Sequence, residues 1–220
     1  MEALAIATQL PAVGSARPAS DPTLEPQRRL ASQLRLTWRG RSRRGFFLRA
    51  EDFFGFQKQL AVQRVEHEAE LKRIDRELAG ASEHARRLAR GPHHASIGAI
   101  EARYGKNPDA HSHGEAFLNL FVQRLTPGGL FLLDEPEAAL SPQSQLGFLA
   151  MIRDAIAKGG QFVIATHSPI LMAIPGATIL GFDDPPVRRV SFEELDSVML
   201  VRDFLQAPER YLRRIWEGEE

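Results

Sequence analysis

The chain of 220 residues contains no cysteine, which excludes disulfide bonds and thiolate metal sites. It also carries no net charge, because 28 basic residues offset 28 acidic ones. Net charge therefore argues neither for nor against a nucleic-acid partner. No apolar run reaches the roughly 18 residues of a membrane-spanning helix, and no signal-peptide pattern opens the chain. These absences predict a soluble, cytoplasmic protein with no membrane segment.

The second half of the chain alternates apolar runs with helical patterns. The predicted strands are "LFLLD" at 130–134, "QFVIAT" at 161–166 and "ATILGF" at 177–182. A helix over 144–157 and a short helix after Pro169 separate them. This alternation predicts an α/β fold with a mostly parallel sheet and flanking helices.

The first half is less regular. "LRLTWRG" and "RGFFLRAE" alternate and flank "RSRR", a pattern that predicts a β-hairpin. Residues 57–95 are predicted to form a helical insertion. A helical tail is predicted over about 192–217, and residues 1–220 are interpreted as a single domain. His93 and His94, in "GPHHAS", are expected in a solvated loop, because no third residue is spaced to complete a metal site.

A run of arginines lies between residues 28 and 49, and no acidic residue occurs from Pro26 to Ala50. Arginines can bind nucleic-acid phosphates, and the interleaved Trp38, Phe46 and Phe47 could stack on bases. The alternative is that these arginines cover a sheet face with their aliphatic stems. Nucleic-acid binding and coverage of a sheet face are therefore the two interpretations that this arginine cluster leaves open.

Two adjacent carboxylates, Asp134 and Glu135, follow the apolar strand directly. Ligands of open α/β sheets bind at the carboxyl ends of the strands, so the position suits a site. Side chains alternate along a strand, so the two acids can serve different ligands, one a Mg²⁺ ion and the other a water molecule. Two solvated acids at the end of a strand are the structural alternative.

The next predicted strand ends in "ATHSP", which places His167 at the same predicted edge of the sheet. An imidazole there can donate to a phosphate oxygen or accept from a water molecule. A lone histidine at a strand end is more often structural, so the interval between His167 and "LLDEPEAAL" is what favours function.

"LFLLDEPEAALSPQSQ" followed by "FVIATHSPILM" resembles the Walker B, D-loop and switch-histidine segments of ABC-type ATPases. More narrowly, it is similar to soluble bacterial ATPases of the AAA-like group, relatives of the SMC and repair ATPases. The similarity extends through "RGFFLRAEDFF" and "RDFLQAPERYL". The resemblance implies a P-loop NTPase fold that binds ATP and Mg²⁺, with Asp134 at the metal, Glu135 as general base and His167 at the γ-phosphate.

In the same resemblance, Ser141 belongs to a loop that crosses a dimer, and "HSHGEAF" stands where an LSGGQ-type signature is expected. Ser112 and Gly114 match that signature, and a helix start there favours anions. A capping box formed by Ser112 and Glu115 is the structural alternative. Glu51 lies near the position of the family's Q-loop, but it is not a glutamine and receives no catalytic role.

The phosphate-binding sequence G-x-x-x-x-G-K-[ST], the Walker A motif, is absent from the chain. Gly105-Lys106 lacks the upstream glycine at the required spacing and is interpreted as a turn. "MEALAIATQL" resembles the helix that follows a P-loop, so we expect an ATPase domain truncated at its N-terminus that lacks the first strand. ATP hydrolysis should then be impaired, and the partner would be a second copy or a complete ATPase. A non-catalytic interaction or regulatory module is the alternative.

Overall fold

The computed structural model describes residues 1–14, 19–38, 40, 42, 44–104, 113–182 and 185–217. The chain divides into two compact units, Met1–Ala165 and Thr166–Glu220. The prediction of a single domain remains a prediction.

The first unit contains a three-stranded parallel sheet surrounded by helices, which confirms the predicted α/β class and the parallel pairing of the two central strands. Strand order is β1-β2-β3, with Phe46 in register with Phe131 and Phe131 in register with Phe162. In chain order the elements are α1 (Glu2–Thr8), α2 (Glu25–Gln33), β1 (Gly45–Arg49), α3 (Ala50–Glu77), α4 (Glu83–Tyr104), α5 (His113–Arg124), β2 (Leu130–Asp134), α6 (Pro142–Ala157) and β3 (Gln161–Ala165).

Strand β2 is buried on both faces, as its run of large apolar residues predicts. On one face Leu130 and Leu132 pack with Phe47 and with Ala5 of α1. On the other face Phe131 meets the ring of Phe46, and that ring in turn meets Phe121 of α5. Contacts on both faces therefore position the carboxyl end of β2, which carries Asp134 and is followed by Glu135.

The predicted hairpin between residues 34 and 49 does not form. Residues 34–38 contain no strand, and β1 pairs in parallel with β2. Gly45 makes this pairing possible: its φ is 122°, and a Cβ there would overlap the carbonyl group of Leu130. Alternation of side chains predicted strand β1 correctly, but alternation carries no information about the partner strand.

Helices α3 and α4 lie against each other after a short turn at residues 78–82. They begin before and end after the helical insertion predicted over 57–95. His93 and His94 belong to α4, which continues through Gly91 and Pro92. The prediction of a loop at these histidines is wrong, because packing between α3 and α4 outweighs the low helix propensity of Gly and Pro.

The second unit contains α7 (Pro169–Met172), β4 (Ile179–Gly181), β5 (Arg188–Val190), α8 (Asp196–Gln206) and α9 (Pro208–Glu217). Strand β4 pairs with β5 in antiparallel, so the third parallel strand predicted at 177–182 is wrong. A short apolar run does not specify its pairing partner. The last two helices fall where the tail was predicted. In the part of the chain that the structure describes, no helix is both long and apolar enough to cross a bilayer.

Candidate functional site

A cavity of about 330 Å³ opens at the carboxyl ends of β1 and β2. Four carboxylate residues and one arginine contribute to its wall, so its lining carries more negative than positive charge. The lining residues are Glu2, Arg49, Ala50, Glu51, Asp134, Glu135 and Ala138. This is the edge of the sheet at which ligands bind in open α/β proteins.

Asp134 is the last residue of β2 and is half-buried. Burial raises the pKa of its carboxyl group above the ordinary value of 3.8, and the negative charges of Glu2 and Glu135 act in the same direction. The Met1 amino group and Arg49 oppose the shift. A cation bound at this carboxylate would offset both the cost of burying its charge and the repulsion from Glu2 and Glu135.

Glu135 has a left-handed backbone conformation, with φ 48° and ψ 48°. This conformation costs a residue other than glycine about 1–3 kcal/mol, and such outliers cluster at functional sites. The Glu135 backbone N–H donates to the Ala165 carbonyl oxygen at 2.9 Å, which ties the end of β2 to the end of β3. The turn directs the chain away from the strand, so Asp134 and Glu135 occupy different positions on the cavity wall.

Arg49 was not predicted as a site residue, although it lies in register with Asp134 on the neighbouring strand. Its guanidinium group binds both carboxylate oxygens of Asp52, at 2.9 and 3.1 Å, and lies 3.3 Å from Glu2 and 3.8 Å from Glu51. Hydrogen bonding to Asp52 raises the pKa of Arg49. Arg49 thereby joins α1, β1 and α3 beside the cavity.

The signal for Arg49 was present in the sequence. It ends a strand, as Asp134 does, and the same rule about strand ends applies to both residues. The hairpin prediction led away from it. In a hairpin, β1 would pair with the preceding strand, and nothing would place Arg49 at the edge of the sheet that carries Asp134.

Gly114, near the start of α5, lies beside Ser144 of α6, the residue to which the predicted Ser141 hydrogen-bonds. The Ser141 hydroxyl caps α6 by accepting from the Ser144 N–H at 3.1 Å, and it donates to the Ser144 hydroxyl at 2.9 Å. A Cβ on Gly114 would lie 3.2 Å from that Ser144 oxygen and 3.5 Å from the Ala139 carbonyl oxygen. Ser112, the other residue of the predicted signature, lies outside the described residues, as does Gly105-Lys106.

The two locations lie on either side of one short 3-10 helix, Pro136–Ala139. Ala138 of this helix lines the cavity, and the carbonyl group of its last residue, Ala139, faces Gly114. The structure therefore places Asp134 and Glu135 at the cavity, and it links Gly114 to Ser141 only through Ser144, at a neighbouring location.

His167 belongs to the second unit and is exposed. The chain around it is fixed locally, because the Ser168 N–H donates to the Thr166 hydroxyl at 3.0 Å and the Ser168 hydroxyl accepts from the Leu171 N–H at 3.3 Å. The predicted role of His167 at a phosphate stays a prediction.

The aromatic residues proposed to stack on nucleic-acid bases do not form an exposed platform. Phe46 and Phe47 are 2% and 1% exposed and belong to the core, and Trp38 packs against the same core. Base stacking by these two phenylalanines is therefore excluded. Several arginines of the cluster also have acidic partners: Arg28 and Arg29 pair with Glu25.

The Mg²⁺ ion that the resemblance implies fits the chemistry of the cavity. Carboxylate oxygens are hard ligands, and Mg²⁺ is usually held by one or two of them together with water and substrate phosphates. Within the described ranges, no three histidine, aspartate or glutamate side chains are grouped closely enough to form a metal cage. The resemblance assigns the ion to Asp134, one of the four acidic residues that line the cavity.

Residues 116–173, about a quarter of the chain, match the family model described as "AAA domain, putative AbiEii toxin, Type IV TA system". The matched segment contains Asp134, Glu135, Ser141 and His167. No curated protein and no solved structure shows significant similarity to the chain. The match supports a nucleotide-binding, ATPase-like character for this segment.

Proposed function

We propose that this protein is a nucleotide-binding domain of ATPase type, in which Asp134 holds Mg²⁺ and Glu135 is the general base. The main support is the position of the two acids at the carboxyl end of a fully buried central strand, beside a cavity. The similarity of residues 116–173 to an AAA-type domain favours ATP as the ligand.

The strained backbone of Glu135 and the burial of Asp134 suit two different tasks. Mg²⁺ would neutralise charge on the phosphates. Glu135, turned away from the strand axis, is the candidate to take a proton from the attacking water.

Gly114 and Ser141 suggest how two subunits would share the nucleotide. They lie apart from the carboxylates, at the start of two helices, and Ser141 is exposed. We propose that this group contacts the nucleotide of a second subunit, so that ATP lies between subunits arranged head to tail. The roles of Ser112 and His167 in that arrangement follow from the resemblance alone.

We expect little or no ATP hydrolysis by the isolated chain, because the 220 residues contain no G-x-x-x-x-G-K-[ST] sequence to hold the phosphates. The second candidate function is accordingly a non-catalytic module that pairs with a complete ATPase. The exposure of Ser141 beside the half-buried Gly114 favours it, because these residues would serve a partner's nucleotide without any hydrolysis at Glu135.

The first candidate is tested by calorimetric titration of the chain with Mg²⁺·ATP. We expect weak binding by the wild type, held through Mg²⁺ at Asp134 in place of a phosphate loop. Affinity should fall about tenfold or more in Asp134→Asn and stay unchanged in Asp154→Asn, which alters an exposed aspartate on α6. Any residual hydrolysis should fall about a hundredfold in Glu135→Gln, the scale of a lost general base, and stay unchanged in Glu77→Gln.

Failure of the wild type to bind Mg²⁺·ATP at millimolar concentration would contradict the proposal, as would equal affinity in Asp134→Asn. Binding that appears only when a complete ATPase is added would favour the second candidate.

A further inference from the structure

Two histidines face each other between α3 and α4, away from the cavity. The Nδ1 atom of His67 lies 3.1 Å from the Nδ1 atom of His93. The ring centroids are 5.3 Å apart, with an angle of 64° between the ring planes. Both side chains are half-buried. The pair does not belong to the carboxylate site, since His67 is about 25 Å from Ala50 along the axis of α3.

Ion pairs between α3 and α4 lie on both sides of the two histidines. Arg64 on α3 lies 3.5 Å from Glu101 on α4, and Asp75 on α3 pairs with Arg90 on α4. The arginines on both sides are thus neutralised by carboxylates. The contact between the two imidazoles is therefore accompanied, on each side, by an ion pair that joins the same two helices.

The sequence of α4 near His93 has a low propensity for helix formation. Gly91 and Pro92, the two residues least suited to the interior of a helix, directly precede His93. Departures from local propensity are expected where a sequence serves function. Here the departure lies next to the histidine that faces α3.

The chemistry of the contact leaves a lone pair available. At most one hydrogen can lie between two Nδ1 atoms, so at least one of the two nitrogens is an acceptor. The same lone pairs bind metal ions, and when both Nδ1 atoms are ligands the hydrogen that lay between them is carried on the Nε2 atom of its own ring. With metal–nitrogen bonds of about 2.0–2.1 Å, a separation of 3.1 Å corresponds to an angle of about 100° at the metal, between square-planar and tetrahedral values.

We propose that His67 and His93 form a two-histidine site for a divalent transition metal ion, with both Nδ1 atoms as ligands and water completing the coordination. Imidazole suits Zn²⁺, Ni²⁺ and Cu²⁺, whereas Mg²⁺ prefers oxygen ligands. The bound ion links α3 to α4 and stabilises the folded chain, because the unfolded chain does not hold the two nitrogens together. This inference does not rest on the proposed function.

The test uses the full chain without a histidine tag, stripped with EDTA and dialysed. Zinc chloride should bind the wild type with a stoichiometry of one, and at about a hundred times the dissociation constant it should raise the melting temperature by about 5 °C or more. His67→Ala and His93→Ala should lose the shift. His84→Ala, an exposed histidine on α4, should keep it.

The order of metals gives a second measurement. Affinity should fall from Cu²⁺ to Zn²⁺ to Mn²⁺, and Mg²⁺ should give no shift. The electron paramagnetic resonance spectrum of bound Cu²⁺ should show coupling to two nitrogens. If an alanine variant does not fold, as judged by circular dichroism without metal, His67→Gln and His93→Gln replace it. No zinc-dependent shift in the wild type, an unchanged shift in the His67 variant, or coupling to one nitrogen would each overturn the proposal.

Discussion

At the scale of single residues, the two acids at the end of β2 are destabilising for different reasons. Asp134 is held where its charge is unfavourable, whereas Glu135 is held where its backbone is unfavourable. Each feature lowers the stability of the isolated chain, and each suits a residue whose partner is a ligand. The sequence predicted the position of both acids, but not their burial or backbone strain, which depend on elements distant in the chain.

The raised pKa of Asp134 gives a prediction about stability and pH. A carboxyl group whose pKa is higher in the folded state binds protons more tightly there, so its contribution is favourable below pH 3.8 and is lost as pH rises through the raised pKa. We expect Asp134→Asn to be more stable than the wild type at pH 7. The difference in unfolding free energy should shrink as pH falls towards 3.8.

Chemical denaturation of both proteins between pH 3 and pH 7 measures this difference, with Asp154→Asn as the matched exposed control. The pKa values of Asp21, Glu25 and Glu194 are lowered and give the opposite dependence, but these acids are common to both proteins and cancel in the difference. Glu2 interacts with Asp134, so its contribution is part of the measured difference. A difference that grows on acidification would refute the assignment.

The backbone of Glu135 gives a second prediction. Asparagine accepts left-handed φ more readily than glutamate, so Glu135→Asn should raise the unfolding free energy by about 0.5–1 kcal/mol while removing the proposed base. Thermal denaturation checks the change in stability. The matched control is Glu77→Asn, at the helical end of α3, where asparagine has no such advantage; equal effects at both positions would count against strain at Glu135.

At the scale of elements, two predictions from local pattern failed in the same way. Alternation identified β1 and the apolar run identified β4, but the assumed partners of both strands were wrong. The pairing of β1 with β2 spans three helices, and no residue in either strand encodes that choice by itself. Strands β2 and β3, joined by the single helix α6, were predicted correctly because one short crossover permits few alternatives.

The prediction of a loop at His93 and His94 was wrong for a different reason. Packing of α4 against α3 outweighs the low helix propensity of Gly91 and Pro92. The continuity of α4 through Gly91 is testable, because that glycine is exposed, and a Cβ there would meet no atom within 4 Å. Gly91→Ala should raise the unfolding free energy by about 0.5–1 kcal/mol by restricting the unfolded chain. Urea denaturation measures the change.

The control is Gly176→Ala, because Gly176 has a φ of 75° and alanine there should be destabilising. If Gly91→Ala destabilised the protein as Gly176→Ala does, α4 would not be a regular helix at residue 91.

At the scale of the whole molecule, the first unit provides the sheet, the cavity and the group at Gly114 and Ser141. The sequence predicted the central strands, the carboxylates and the fold class, because these depend on short-range patterns. It did not predict Glu2 and Arg49 at the cavity, because α1 and β1 reach β2 through long-range contacts, the packing of Ala5 on Leu130 and Leu132 and the parallel pairing of β1. The contact between His67 and His93 was not predicted either, because it joins residues on two different helices.

The central claim is that the cavity beside Asp134 and Glu135 binds a nucleotide through a divalent ion. Nuclear magnetic resonance with Mn²⁺·ATP tests it most directly, because the paramagnetic ion broadens the signals of nearby amide groups. Ala50 and Ala138 line the cavity, whereas Glu77 lies about 40 Å from Ala50 along α3. We predict selective broadening at Ala50 and Ala138 that disappears in Asp134→Asn. Broadening that is absent there, or that persists in Asp134→Asn, would contradict the account.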